Sequence, residues 1–526
     1  MRVLMIAGLV CVTASPAAAQ AFANASRSLA GYSTADSTPG KSCESLSSFK
    51  GEGIVSIAAR VVPATADTPQ HCRVVGTITP EVAFEVNLPD KWNQRFYMVG
   101  NGGLAGDALD GPTNGDRTAA LTNGFVIART NTGHDARKEP SGSFILSNPQ
   151  KALDYAYRAV HVTAEAAKKI AADYYAKPIL FSYWNSCSNG GRQGLLEAQR
   201  YPDDFDGIVA NAPWVDQTGF TIGAMWNQKA LTEAPVPVAK LNLVAEKVMA
   251  KCDQVDGLKD GLIDDPRKCS FDPARDVPAC SQGSDGPDCL TAAQAGTIKK
   301  IYGGPVSRGK SFFPGFMPGS EAVSTGANGA TTSGWVGPIV AAQPGAKPAD
   351  FNLAEGVMRY LILEPPQPEY DSLKFNYDSD TALLARWSKL ADAKDPDLSK
   401  FRKSGGKLIM TYGWADTILQ PMMGVNYYEA VVAKNGRNTD DFARLFMAPG
   451  MAHCGGGVGP DRNDAVTAVI DWVEKGKAPD QLIASKVTNG KTVRTRPLCP
   501  YPQVARYKGQ GSIDEAENFR CVAPPK

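Results

Sequence analysis

Residues Pro178 to Pro202 read PILFSYWNSCSNGGRQGLLEAQRYP. An apolar run through Trp184 gives way to a turn of small residues. A helix-forming stretch follows until Pro202 stops it. The reading is strand, sharp turn, helix, with Ser188 at the turn. A nucleophile elbow has this form, with small residues two before and two after the serine because the two backbones approach closely there. The usual pattern is G-x-S-x-G; here it is Ser186-Cys187-Ser188-Asn189-Gly190. Ser186 is still small, and Gly190 and Gly191 supply the freedom for the turn. The plainer alternative is a serine in an ordinary strand-to-helix turn.

Outward from this stretch the pattern repeats. FEVNLPDKWNQRFYMVGNGG predicts two strands with a turn at Pro89-Asp90, and NGFVIARTNTGH predicts another. ALDYAYRAVHVTAEAAKKIAADYY has apolar residues at helical spacing and no breaker, so one long helix is expected. FDGIVANAP is the next buried strand. Strands alternating with helices predict an α/β fold on a mostly parallel sheet. Between residues 215 and 394 the alternation is lost, and Gly, Pro, Ser and closely spaced cysteines increase. GGKLIMTYGWAD then resumes a buried strand. NYYEAVVAKN reads as a helix, FARLFMAPGMAHCGGG as a strand ending in a loop, and DAVTAVIDWVEKGKAP as a helix. The expected organisation is an α/β domain over 20–214 and 395–526, interrupted by an insertion over 215–394.

The 526-residue chain is 43% hydrophobic and 21% charged, with a formal net charge of +1. That balance gives nucleic acid or an acidic surface no electrostatic footing. At the N-terminus one Arg, an apolar run from Val3 to Val12 and Ala17-Ala18-Ala19 predict a secretory signal over 1–19. The run is too short to span a bilayer, and no other approaches ~18 residues. The mature protein is expected to be periplasmic or secreted, without a membrane span.

Export changes the meaning of the eleven cysteines. Cys11 leaves with the signal, and the even remainder implies disulfides. Spacing groups Cys43 with Cys72, Cys252 with Cys269, Cys280 with Cys289, and Cys499 with Cys521. Cys187 and Cys454 are left over, one beside Ser188 and the other beside His453. A different connectivity, or free thiols, is the competing reading. A bridge between them would hold their Cα atoms ~5.5–6 Å apart and bring the neighbouring serine and histidine together.

A serine hydroxyl needs a base to take its proton. There are four histidines. His161 lies mid-helix and His71 beside Cys72 in a loop. His134 follows an early strand and is the reserve candidate. His453 sits in a Gly-rich loop after a late strand and comes last, as the order Ser…Asp…His requires. Asp416, just past the apolar run Leu408–Met410, is the candidate acid that would orient the imidazole; capping the next turn is its plainer role. The oxyanion would be met by the Asn189 backbone N–H and by a second donor from Gly102 or Gly103 in VGNGGLAG.

Within the insertion, CDQVDGLKDGLIDDPRKC runs from Cys252 to Cys269. Its carboxylates repel unless a cation neutralises them, and oxygen donors suit Ca2+. Asp253, Asp256 and Asp260 would be the side-chain ligands, with backbone carbonyls of Leu258 and Leu262. A solvated acidic turn is the alternative, and the EF-hand spacing is absent. Trp335, Phe312 and Phe313 are guesses for aromatic walls of the substrate pocket; for each taken singly, core of the insertion is the plainer role.

Taken together, NSCSNGGRQG, YGWAD, MAHCGGG and CDQVDGLKDGLIDDP resemble the tannase and feruloyl esterase family of α/β-hydrolases over nearly the whole mature chain. The resemblance implies an α/β-hydrolase fold whose insertion is a lid. It implies a disulfide beside the Ser188–Asp416–His453 triad and five bridges in all. It also implies a calcium ion on Asp253, Asp256, Leu258, Asp260 and Leu262, and no organic cofactor. The expected activity is hydrolysis of small esters of aromatic acids: hydroxycinnamic, gallic, or terephthalic as in mono(2-hydroxyethyl) terephthalate hydrolases. A secreted lipase or peptidase on the same triad and an inactive binding module are the rival readings.

Overall fold

The computed structural model describes residues 21–111, 115–321, 324–325, 331–332, 334–343 and 345–524. The expected signal over 1–19 lies outside them.

Nine strands form the central sheet. They are β1 (Ile54–Val62), β2 (His71–Ile78), β3 (Val82–Pro89), β4 (Arg95–Val99), β5 (Val126–Thr130), β6 (Phe181–Cys187), β7 (Gly207–Asn211), β8 (Lys407–Gly413) and β9 (Ala443–Ala448). Their spatial order is β1-β2-β3-β5-β4-β6-β7-β8-β9. β1, β2, β3 and β5 pair antiparallel, and every pairing from β5 through β4 to β9 is parallel. Parallel strands covered on both faces need continuous apolar runs, and β7 is buried at every position. The helices Ala159–Tyr175, Asn189–Arg200 and Pro421–Asn435 cover one face through Ile170, Leu195 and Val431. Asp116–Thr122 and Ala465–Lys475 cover the other through Leu121, Val469 and Ile470.

Register fixes where chemistry can occur. Val99 pairs with Asn185, Cys187 with Asn211, and Asn211 with Thr411. The carboxyl ends of four adjacent parallel strands therefore share one edge, the edge at which ligands bind in such sheets.

The expected long helix is interrupted. A π-helical turn, Asp154–Arg158, precedes Ala159–Tyr175. Such turns displace side chains from the helical stagger, and this one carries the buried Tyr155. Nothing in local composition marks it.

The segment between β7 and β8 divides its apolar residues between two cores. Leu241, Val244, Val248, Ile298, Ile301 and Trp335 form a core of their own. Phe351, Val357, Met358, Leu361, Trp387 and Phe401 join the core beneath the sheet. Where the segment leaves and re-enters the sheet, Lys394 pairs with both Asp216 (3.1 Å) and Asp392 (2.8 Å). The chain ends in two antiparallel hairpins, β10 (Leu482–Thr488) with β11 (Lys491–Leu498) and β12 (Val504–Tyr507) with β13 (Phe519–Val522). Five disulfides are present, in the expected pairs Cys43–Cys72, Cys187–Cys454, Cys252–Cys269, Cys280–Cys289 and Cys499–Cys521. Among the described residues no helix is long and apolar enough to cross a membrane.

Candidate active site

Ser188 sits between β6 and the helix Asn189–Arg200 with φ 63° and ψ −124°. A non-glycine residue persists there only when its surroundings enforce it. They do: Ser188 N–H donates to Asn211 O (3.0 Å), and Ser188 O accepts from Arg192 N–H and Trp214 N–H (both 3.0 Å). A Cβ on Gly190 would lie 2.0 Å from Ser186 Oγ, and one on Gly191 2.7 Å from Asn211 O. The small residues around the serine are thus required by contact with each other and with β7.

Asp416 follows β8 and is fully buried. Its Oδ1 accepts the N–H groups of Ile418 and Leu419, both at 2.9 Å, and its Oδ2 meets His453 Nδ1 at 2.8 Å. A carboxylate can only accept, so Nδ1 carries the proton and Nε2 offers a lone pair. The histidine loop is held at several points. The Cys187–Cys454 bridge sets the two Cα atoms 5.8 Å apart. Gly456 N–H donates to Asp461 Oδ2 (2.8 Å), while Lys486 Nζ donates to Gly457 O (2.5 Å) and pairs with Asp461 Oδ1 (3.3 Å).

Ser188, His453, Gly102 and Gly103 line one cavity of about 730 Å³. Trp214, Leu353, Ile418, Leu419 and Met451 give it an apolar wall, and Arg117 and Arg129 stand on its polar side. A Cβ on Gly102 or Gly103 would meet open space, so neither glycine is there to relieve a clash. Asn189 opens its helix, where the first N–H groups have no intrahelical acceptor.

A buried network that sequence reasoning missed ties these groups together. Tyr155 OH lies 3.2 Å from Gly103 O and 3.3 Å from Asn189 Oδ1, and accepts from Gln217 Nε2 at 2.8 Å. Trp387 Nε1 donates to Gln217 Oε1 (2.6 Å). Arg192 Nε donates to Asn189 Oδ1 (2.7 Å), and its Nη1 to Ala156 O and Ala391 O (2.9 and 2.8 Å). Tyr155, a polar residue inside the predicted long helix, was the available signal; nothing in the sequence pattern marked Gln217.

The other candidates fall elsewhere. His134 stacks on Phe144 at 4.0 Å, lines a separate cavity of about 520 Å³, and is pushed down to about 4 by burial. His71 lies in β2 with Nδ1 on Pro69 O, 2.9 Å. The guessed aromatic walls are corrected. Trp335 is buried in the insertion's own core near Tyr302, Phe313 packs on Gly219 and Gly223, and Phe312 is exposed. Within 215–394, Leu353 is the described residue that reaches the cavity.

In the acidic loop, Asp253 Oδ1 accepts from Asp260 N–H (3.2 Å) and Gly261 N–H (2.9 Å). Asp256 Oδ1 takes Leu258 N–H (3.0 Å) and Asp260 Oδ1 takes Leu262 N–H (3.1 Å). One oxygen of each carboxylate orients the loop, leaving the other for a further partner. For Asp260 that partner is Arg496 at 2.5 Å. Burial and the adjacent Asp256 push the Asp264 carboxyl well above its usual range. The donors are all oxygens, the type a hard dication takes, and the second oxygen of Asp260 is already held by Arg496.

A serine on an elbow, an Asp–His pair and open N–H donors around one cavity equip a fold for acyl transfer. Residues 66–522 match the family described as Tannase and feruloyl esterase, and the chain belongs to that family of carboxylic ester hydrolases. It is 34% identical to the mono(2-hydroxyethyl) terephthalate hydrolase of Piscinibacter sakaiensis, over 92% of each chain. It is 34% identical to a probable feruloyl esterase of Arthroderma benhamiae, over 83% of this chain and 81% of that one. Feruloyl esterase B from Aspergillus oryzae superposes with a TM-score of 0.78 at 28% identity, covering 91% of this chain and 99% of that one. The fold is accordingly that of an α/β-hydrolase with a large central sheet.

Proposed function

We propose that this protein is an exported serine esterase that cleaves esters of aromatic carboxylic acids through an acyl-enzyme. The observation that carries the reading is the Asp416–His453 contact of 2.8 Å in a loop bridged by Cys454 to the residue preceding Ser188. Ser188 Oγ attacks the ester carbonyl carbon while His453 Nε2 takes its proton. Asp416 holds the ring and stabilises the imidazolium. The carbonyl oxygen, now negative, is met by the Asn189 N–H and an N–H of the Gly102–Gly103 pair; one such donor is worth about 10²–10³ in rate. His453 returns the proton to the leaving alcohol, then activates water to release the acid.

The substrate class rests on the relatives' named activities and on the cavity. Its apolar wall of Trp214, Leu353, Ile418, Leu419 and Met451 suits a flat ring better than a long acyl chain. Export rests on the N-terminal signal pattern and the five disulfides. In the acidic loop, Asp253, Asp256 and Asp260 with the carbonyls of Leu258 and Leu262 would hold Ca2+. The ion supplies charge neutralisation and cross-linking of the loop, and takes no part in ester chemistry.

The test is hydrolysis of methyl ferulate, methyl gallate, mono(2-hydroxyethyl) terephthalate and a long-chain acyl ester, each with the Ser188→Ala variant. Turnover of an aromatic ester that vanishes in the variant supports the reading and selects the acyl group. Turnover of the long-chain ester alone overturns it.

A further inference from the structure

His161, which the sequence places mid-helix, faces Glu197 and Asp204. We propose that His161, Glu197 and Asp204 form a binding site for one divalent transition metal, Zn2+ being the best match, distinct from the catalytic cavity and from the acidic loop.

His161 Nδ1 lies 2.6 Å from Asp204 Oδ2, and one ligand atom from each of the three residues lies within 4.8 Å of the others. Ligands at about 2.0–2.1 Å around a tetrahedral zinc are about 3.3 Å apart, so small side-chain shifts complete the site. Glu197 is 1% exposed, and no N–H or O–H group donates to its Oε2; it faces the Asp204 carboxylate, and burial with that like charge pushes the Glu197 carboxyl well above its usual range. A buried carboxylate oxygen without a donor is a standing cost that a cation would remove. The imidazole plane is already set: His161 stacks on Tyr201 at 3.8 Å with 4° between the rings. Glu197 is fixed by its helix, whereas the His161 and Asp204 side chains are 25% and 14% exposed, giving an ion a way in.

Opposing charges stand nearby, Arg200 beside Tyr201 and Lys168 beside the carboxylates. Lys168 faces the cluster, but its ammonium is turned to Asp204 O and lies 5.8 and 5.4 Å from the Phe96 and Phe205 rings. Asp206 and Glu165 stand on the same side of Lys168 and offset it. One imidazole with two carboxylates suits Zn2+, Co2+ or Mn2+, whereas Ca2+ takes oxygen ligands throughout. The second cysteine–histidine grouping, Cys187, His453 and Cys454, offers no thiolate, because its two sulfurs are bonded to each other. Glu197 lies nine positions beyond Ser188 on the same helix, about 13 Å away along its axis. The proposed ion therefore sits at the far end of the helix that carries the nucleophile.

The experiment strips the oxidised protein with chelator and returns it to about 1 mM Ca2+ to fill the acidic loop. Zn2+ is then titrated calorimetrically, and Co2+ by visible absorption. One equivalent is expected for the native chain. His161→Ala and Glu197→Gln are expected to weaken binding about tenfold or more, with ester hydrolysis unchanged as proof of folding. Asp204→Asn replaces Glu197→Gln should the buried substitution fail to fold. Absence of Zn2+ heat and of a Co2+ band in the native chain overturns the site. So does equal binding by the native chain and either variant.

Discussion

Removing a single oxygen, in Tyr155→Phe, separates support of the oxyanion region from support of the fold. The ring and its neighbours stay: Trp387 at 6.3 Å and the Arg192 guanidinium at 5.0 Å. Only the hydroxyl contacts to Gly103 O, Asn189 Oδ1 and Gln217 Nε2 are lost. Asn189 Oδ1 keeps Arg192 Nε at 2.7 Å, and Gly103 O borders the cavity, where water can replace the hydroxyl. The buried Gln217 amide is the group left without its acceptor, costing about 1–3 kcal/mol and lowering Tm by a few degrees. Catalysis loses the tether that fixes the glycine loop against the first residue of the nucleophile helix. Deleting an oxyanion donor outright costs about 10²–10³; letting one drift costs less. The expectation is a kcat lower by about 10- to 100-fold, roughly 1.4–2.7 kcal/mol, with KM within about twofold. Steady-state kinetics on the best ester of the panel, beside a thermal melt, reads both effects. A lowered Tm with kcat unchanged would refute the argument, since the hydroxyl would then serve the fold alone.

Replacing Cys187 and Cys454 together by serine frees a loop closed across 267 residues, for which chain entropy predicts a loss of about 5–6 kcal/mol of stability. A melt should fall steeply and kcat by about 10²-fold as Ser188 and His453 lose register; a variant of native activity would show the bridge to be dispensable. Asp350 is pushed up to about 8 by burial. Its folded form keeps a proton that the unfolded chain releases near pH 4, so stability declines as pH rises from about 4 to about 8. Asp350→Asn should flatten that part of the Tm–pH curve; an unchanged slope would place the decline elsewhere. Chelation with EGTA should lower Tm, and Ca2+ but not Mg2+ should restore it, because the smaller ion demands a stricter octahedron. A Tm indifferent to EGTA would leave the acidic loop a solvated turn.

What the sequence made legible follows from how far each signal reaches. β6, β7 and β8 are largely buried, so their mainly apolar runs announced them. Ser188, Asp416 and His453 follow directly on such runs, and so their meeting at one sheet edge was readable. β1 was not: only four of its nine residues are even half-buried, and no alternation strong enough to mark a strand survives. The π turn carrying Tyr155 and the cavity contact of Leu353 are set by tertiary packing, which leaves no local pattern. Trp335 and Phe313 misled for the same reason, since an aromatic in an insertion looks alike whether it faces a ligand or a neighbouring helix.

The bridges also differ in when the growing chain can form them. Four join cysteines 9 to 29 residues apart, so each pair is complete soon after its second cysteine is made. Cys187 must wait for Cys454, and the segment between them contains two complete bridges of its own. Closure of the reactive centre is therefore the last oxidative event available to the interior of the chain. It falls after the insertion has its own cross-links and before the terminal hairpins receive theirs. A chain still reduced, or still being synthesised, has its serine and histidine unlinked. The order of closure thus ties the linked serine and histidine to a chain made at least through Cys454 and to oxidising conditions.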